Sequence, residues 1–221
     1  METLQRPKVK ICCIQTIEEA WMAIQAGAAA LGFVSAMPSG PGVISDALIA
    51  EIVTTVPPAI GSFLLTSLQN AEEIIAQQNY CRTNTLQLCD ELPLPDYRKL
   101  RQAMPGITVV QVIHVTSEES VQMAIEVAPE VDGILLDSGN PSLPTKQLGG
   151  TGRVHNWQLS SKIRELVNVP VFLAGGLTFE NVEQAIQTVV PFGVDVCSGV
   201  RTEGVLDYYK LSRFISQVNL S

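Results

Sequence analysis

The chain has 221 residues, 46% of them hydrophobic, which is enough for one large core. Its formal net charge of −8 leaves no basic stripe for a nucleic-acid backbone, yet a small anionic substrate stays open, because one phosphate needs only a few backbone N–H groups. No apolar run reaches the ~18 residues that span a bilayer, and the charged, proline-bearing start has no apolar signal core, so the expectation is a cytoplasmic chain with no membrane or nucleic-acid partner.

Short β-branched or apolar runs alternate with polar-periodic segments along the whole chain, the pattern of repeated βα units. Strands are predicted at 9–14, 30–34, 60–66, 85–90, 108–115, 133–138, 171–176 and 194–198. Helical spacing follows the first strand, where Ile17, Ala20, Trp21 and Ile24 recur every three or four residues. Thr16, Ser45 and Ser117 each stand before acidic residues, as a capping side chain does at a helix N-terminus. The glycine- and proline-rich stretch 37–43 falls where a βα loop belongs. Eight units of roughly 25 residues predict an α/β fold, a single (β/α)8 TIM barrel domain over 1–221.

In such barrels the reacting groups sit at the C-terminal ends of the strands. Three glycine-bearing turns fall there: Gly149-Gly150-Thr151-Gly152, Ala174-Gly175-Gly176 and Ser198-Gly199. Glycine lets a backbone approach an anion and aim N–H groups at it, and a short helix start after strand eight would add partial positive charge, so a phosphate is the expected ligand. Cys12 lies in strand one at or near its C-terminal end. Alternation puts Cys12 and Cys13 on opposite faces, so one of them points into the barrel mouth, and Lys10, on the face of Cys12, is positioned to lower its pKa. Asp137 closes the apolar run Gly133-Ile134-Leu135-Leu136, where a carboxyl reads as an acid facing a base across the mouth.

Asp90 and Asp195, at or near strand ends, are equal candidates for binding substrate hydroxyls or for bonding loop backbone. His114 reads as a satisfied barrel residue, His155 has no obvious acidic partner, and Trp157 is expected to anchor a helix on the barrel wall. Five cysteines (Cys12, Cys13, Cys81, Cys89, Cys197) form an odd set without paired metal spacing, and with two histidines they predict neither a disulfide framework nor a zinc site.

Several of these stretches together resemble one family. They are Lys10-Ile11-Cys12, Ala30-Leu31-Gly32-Phe33-Val34, Leu135-Leu136-Asp137-Ser138, Gly149-Gly150-Thr151-Gly152, Leu173-Ala174-Gly175-Gly176-Leu177-Thr178 with Glu180-Asn181-Val182, and Val194-Asp195-Val196 with Ser198-Gly199-Val200. The family is phosphoribosylanthranilate isomerase of tryptophan biosynthesis, and the likeness covers nearly the whole chain in order. The resemblance implies an aldose–ketose isomerase that performs an Amadori rearrangement without a cofactor. It implies Cys12 as the base that removes the C2′ proton and Asp137 as the acid that protonates the ring oxygen. Gly150, Thr151, Gly152, Gly175, Gly176, Ser198 and Gly199 would hold the phosphate of a small phosphorylated substrate.

The chain departs from the family's pattern at five places. Cys13 and Gln15 replace a glycine and a threonine after the base, and Cys89 stands in a strand-four motif without the family's histidine and one residue shorter. Gly42 replaces the arginine that grips the anthranilate carboxylate, and Arg201 replaces a glutamate. Whether another cation, such as Arg153 or Arg201, replaces that arginine is left open by the sequence. Two alternatives therefore stay open: a barrel that binds a phosphorylated metabolite without this activity, and an isomerase of another sugar phosphate.

Overall fold

The computed structural model describes residues 6–221. Eight strands, β1 (Lys8–Ile11), β2 (Ala30–Val34), β3 (Gly61–Thr66), β4 (Thr85–Leu88), β5 (Thr108–His114), β6 (Gly133–Asp137), β7 (Val171–Leu173) and β8 (Gly193–Val196), pair in parallel and in order. The barrel closes where β1 pairs with β8, placing Lys10 opposite Asp195. Around it run α1 (Ile17–Ala26), α2 (Asp46–Val53), α3 (Ala71–Cys81), α4 (Leu94–Ala103), α5 (Glu118–Val127), α6 (Trp157–Leu166), α7 (Val182–Val189) and α8 (Tyr208–Leu220). A small ribbon of β9 (Arg201–Thr202) and β10 (Val205–Leu206) precedes α8. No helix among the described residues is long and apolar enough to cross a membrane.

Strict alternation along the strands builds two apolar layers. Residues such as Val9, Ile11, Leu31, Phe33, Leu64, Leu86, Ile134 and Val194 point outward and pack against the helices. Ala30, Val34, Phe63, Leu65, Val110, Val112, Leu135 and Phe172 point inward and fill the barrel. The interior is therefore packed below its mouth, and only the strand ends leave space for chemistry.

The capping signals hold. Thr16 accepts from the Glu19 N–H at 3.1 Å, Ser45 from the Leu48 N–H at 3.2 Å, and Ser117 and Ser120 form a reciprocal box at the start of α5. Trp157 is half-buried against the outer layer, as its position suggested. Trp21 is instead 39% exposed, because the buried stripe of α1 runs through Ala20 and Ala23 and leaves its neighbour at the edge.

Several strands stop earlier than predicted: β1 at Ile11 rather than 14, β4 at Leu88 rather than 90, β7 at Leu173 rather than 176 and β8 at Val196 rather than 198. The physical reason is that the backbone turns into the mouth there. Cys13, Gly175 and Gly176 have φ of 64°, 79° and 64°, which no ladder accommodates. One further bond still continues each ladder, as in Cys12 N–H to Val196 O at 2.8 Å and Ala174 N–H to Leu136 O at 2.8 Å.

Candidate active site

Cys12 and Asp137 line one cavity at the mouth, open to solvent, whose far wall is made of the glycine turns. The predicted base and acid are thus brought to the same space, together with Gly150, Thr151, Gly152, Gly175, Gly176 and Ser198. Gly199 lies behind that wall. Its Cα packs against the Leu177 carbonyl so closely that any Cβ would overlap it, so this glycine serves approach of one turn to the next. The expected helix start after β8 is a single 3₁₀ turn, Ser198–Val200.

Cys12 is surrounded by buried charge. Lys10 is fully buried, points inward on the face of Cys12, and pairs with Asp195 Oδ1 at 2.9 Å. Both Cys12 Sγ and Lys10 Nζ come within about 3 Å of where a Cβ of Gly32 would sit, so glycine at 32 is what admits them. The Lys10 charge does not produce a low thiol pKa, contrary to the expectation from sequence. Burial pushes Cys12 up to about 11, because removal from water outweighs the pull of Lys10 while Asp195 and Asp137 add negative charge. Burial works against the Lys10 charge, but Asp195, together with Cys12 and Cys89, holds its pKa above the ordinary value, while burial raises Asp195 against the pull of Lys10.

Asp137 is held at the end of β6 by the Ser138 N–H, which donates to Oδ1 at 2.7 Å. Its Oδ2 lies against Gly149, whose φ of 119° and missing side chain let the loop close over the carboxylate. Ser138 Oγ and Thr151 Oγ1 are 2.6 Å apart, tying that loop to the strand end. On the next turn Asn181 donates to Gly176 O at 3.0 Å and accepts from the Thr178 N–H at 2.8 Å, which fixes Gly175 and Gly176 beside the cavity.

His155 supports this wall from behind. Its ring bonds Ser160 Oγ at 2.7 Å and Nδ1 faces Gly175. Burial lowers its pKa to about 4, so it is neutral at physiological pH. His114 Nε2 meets Cys89 O at 3.0 Å, but its Nδ1 is buried without a hydrogen-bond partner among the described residues, so the ring is satisfied at one nitrogen only.

The opposite half of the mouth is built from residues that strand-end reasoning passed over. Met37, Ser39, Gly40, Pro41, Leu65, Gln87 and Leu148 line it. Ser39 Oγ donates to Lys146 O at 2.7 Å, and Lys146 Nζ reaches Asp90 Oδ2 at 2.5 Å, so the long loop before α6 is latched to two rims. Asp90 is therefore occupied by a lysine and Asp195 by another. Arg201 is also committed: it makes a two-pronged pair with Glu19 at 2.8 and 2.9 Å and donates to Cys13 O. Burial works against the Glu19 charge, but the bonds from Arg201, Gln15 and Leu206 hold its carboxyl below the usual range. Arg153 is exposed and bonded to Gln147 Oε1 at 2.7 Å.

Two cysteine expectations are overturned here. Cys13 faces the cavity alongside Cys12, because its positive φ rotates the chain out of strand alternation. Its sulfur is joined to that of Cys197, 184 residues away in sequence, as a disulfide. The odd cysteine count concealed a pair that only closure of β1 onto β8 brings together. Gly42 sits directly against the Cys13 side chain with φ of 80°, so these two residues form one packing arrangement.

Comparison with known proteins agrees with this geometry. The family model described as N-(5'-phosphoribosyl)anthranilate (PRA) isomerase matches residues 9–217. The N-(5'-phosphoribosyl)anthranilate isomerase 2 of Methanosarcina mazei is 35% identical over 210 residues, 94% of this chain and 92% of that one. The crystal structure of phosphoribosyl anthranilate isomerase from Thermotoga maritima superposes with a TM-score of 0.84 at 31% identity, covering 97% of this chain and all of that one. A phosphoribosyl anthranilate isomerase in complex with reduced 1-(o-carboxyphenylamino)-1-deoxyribulose 5-phosphate superposes with a TM-score of 0.81 at 29% identity, over the same shares.

Proposed function

The chain belongs to the N-(5'-phosphoribosyl)anthranilate isomerase family, and from that premise we propose that it isomerises N-(5'-phosphoribosyl)anthranilate to the aminoketone in tryptophan biosynthesis, with Cys12 as base and Asp137 as acid. The observation that carries this reading is the single cavity onto which base, acid and glycine turns all open. The glycine turns and Ser198 hold the 5'-phosphate through backbone N–H groups and a hydroxyl, which suits a chain whose net charge of −8 offers little basic surface.

Asp137 gives a proton to the ribose ring oxygen as the C1′–O bond breaks, and the anthranilate nitrogen lone pair forms C1′=N. Cys12 Sγ then takes the C2′ proton, and that electron pair forms C1′=C2′ while neutralising the nitrogen. Reprotonation at C1′ with loss of the enol proton gives the 2′-ketone. Atoms and electrons balance without a cofactor. With its pKa pushed up to about 11 the thiol is mostly protonated at neutral pH before substrate adds its own positive charge at C1′.

One observation favours a second reading, an isomerase of a sugar phosphate without the benzoate. Gly42 bears no side chain where the family pattern has an arginine, and the Cys13 side chain occupies the space beside it. Turnover of freshly generated N-(5'-phosphoribosyl)anthranilate, followed by loss of its fluorescence, separates the two. Wild-type turnover supports the first reading. Its absence, with stabilisation by ribose 5-phosphate retained, supports the second.

A further inference from the structure

We propose that Cys13 and Cys197 form a reversible thiol–disulfide exchange site that sets how tightly the phosphate is gripped. Their Cα atoms are 5.9 Å apart, inside the range of about 4.4–6.8 Å that a disulfide spans. Both residues line the cavity, and each adjoins a residue of the proposed machinery: Cys13 follows the base Cys12, and Cys197 precedes Ser198 of the phosphate wall. Cys197 is half-buried at the open mouth, within reach of a small thiol or disulfide, whereas Cys81, Cys89 and Cys12 are buried and unpaired.

The Cys13 side of the bond has little freedom to move. Arg201 donates to its carbonyl, and Gly42 packs on its side chain. Reduction replaces the covalent link by a looser van der Waals contact between the two sulfurs. That displacement falls on Cys197 and Ser198, so the reduced form holds the phosphate less tightly while the Cys12 geometry is kept.

The co-reactant is a low-molecular-weight disulfide of the glutathione type. The Cys197 thiolate attacks one glutathione sulfur, forming a mixed disulfide and releasing one glutathione thiolate. The Cys13 thiolate then attacks Cys197 Sγ, closing the protein bond and releasing the second. Two protein thiols are oxidised and one external disulfide is reduced to two thiols.

The functional part of this inference rests on the isomerase reading, so its test carries a readout free of it. Wild-type protein equilibrated with reduced or oxidised glutathione is acid-quenched, alkylated and weighed, and its KM and kcat are measured in both forms. Alkylated cysteines are expected to fall from five to three on oxidation, with KM three- to tenfold lower in the oxidised form and kcat within about twofold. Cys197→Ser, and Cys13→Gly, whose φ of 64° suits glycine, are expected to show the reduced-form KM at either poise. Five alkylated cysteines under oxidised glutathione, or the same KM in both forms, would overturn the proposal. If neither form turns over, the isomerase reading fails instead, and calorimetric affinity for ribose 5-phosphate in the two forms decides the inference by the same ratio.

Discussion

The two halves of the barrel mouth are built on different principles. The wall after β6, β7 and β8 is backbone, with Gly149, Gly150, Gly152, Gly175 and Gly176 all at positive φ and side chains such as Asn181 and Thr151 pinning the turns. The wall around β1, β2 and β4 is side chains in pairs, several of them reaching across to β8 and the turn after it: Lys10 with Asp195, Arg201 with Glu19, Lys146 with Asp90, Cys13 with Cys197. A backbone wall binds any ligand carrying the right anion, whereas a wall of paired side chains is specific and changes with each residue.

The sharpest break in this comparison is at the chemistry that both halves frame. Cys12→Ala and Asp137→Ala are each expected to lower kcat by 10²–10⁴-fold with the phosphate wall intact, so affinity for ribose 5-phosphate stays within about twofold. Because the Cys12 thiol sits near pKa 11, wild-type kcat/KM is expected to rise with pH between 6 and 9, read from a pH–rate profile.

Next comes the paired wall. Arg201→Met leaves Glu19 buried without its partner and frees the Cys13 carbonyl, and is expected to cost about 3 kcal/mol in denaturant unfolding. The double change of Arg201→Met with Glu19→Leu should recover much of that loss, since no uncompensated charge remains.

In the backbone wall, Gly176→Ala would both strain a φ of 64° and press a Cβ onto the Arg153 backbone. A loss of about 1–3 kcal/mol in stability and a raised KM are expected, measured by thermal melting and steady-state kinetics.

The smallest effect is in pH. His155 has a folded pKa of about 4, below its ordinary 6.5, so the unfolded chain takes up the proton first as pH falls. Its contribution is complete above 6.5, is lost as pH drops from 6.5 to 4, and changes no further below. The loss is expected to be no more than about 2 kcal/mol for this partly exposed ring, and His155→Gln should remove that slope from melting curves taken across the range.

The same division decides what was legible in the sequence. The eight βα units, the capping residues and the glycine turns are local patterns, and each appears in the structure at its place. The placing of Asp137 and Cys12 in one cavity was legible because strand ends open into the barrel mouth. The buried pairs were not, because Lys10 and Asp195, or Cys13 and Cys197, meet only when β1 closes on β8, and sequence does not display that register. Cys13 misled for a further reason: a positive φ at a residue other than glycine defeats alternation, and its signal is visible only beside Gly42.

The most direct test of the central claim is single-turnover conversion of freshly generated N-(5'-phosphoribosyl)anthranilate by wild type, Cys12→Ala and Asp137→Ala, followed by loss of fluorescence. Conversion by wild type and its collapse in both variants is the predicted result. Conversion that survives either substitution within about tenfold would contradict the assignment of base and acid, and wild type that binds ribose 5-phosphate but converts nothing would contradict the isomerase itself.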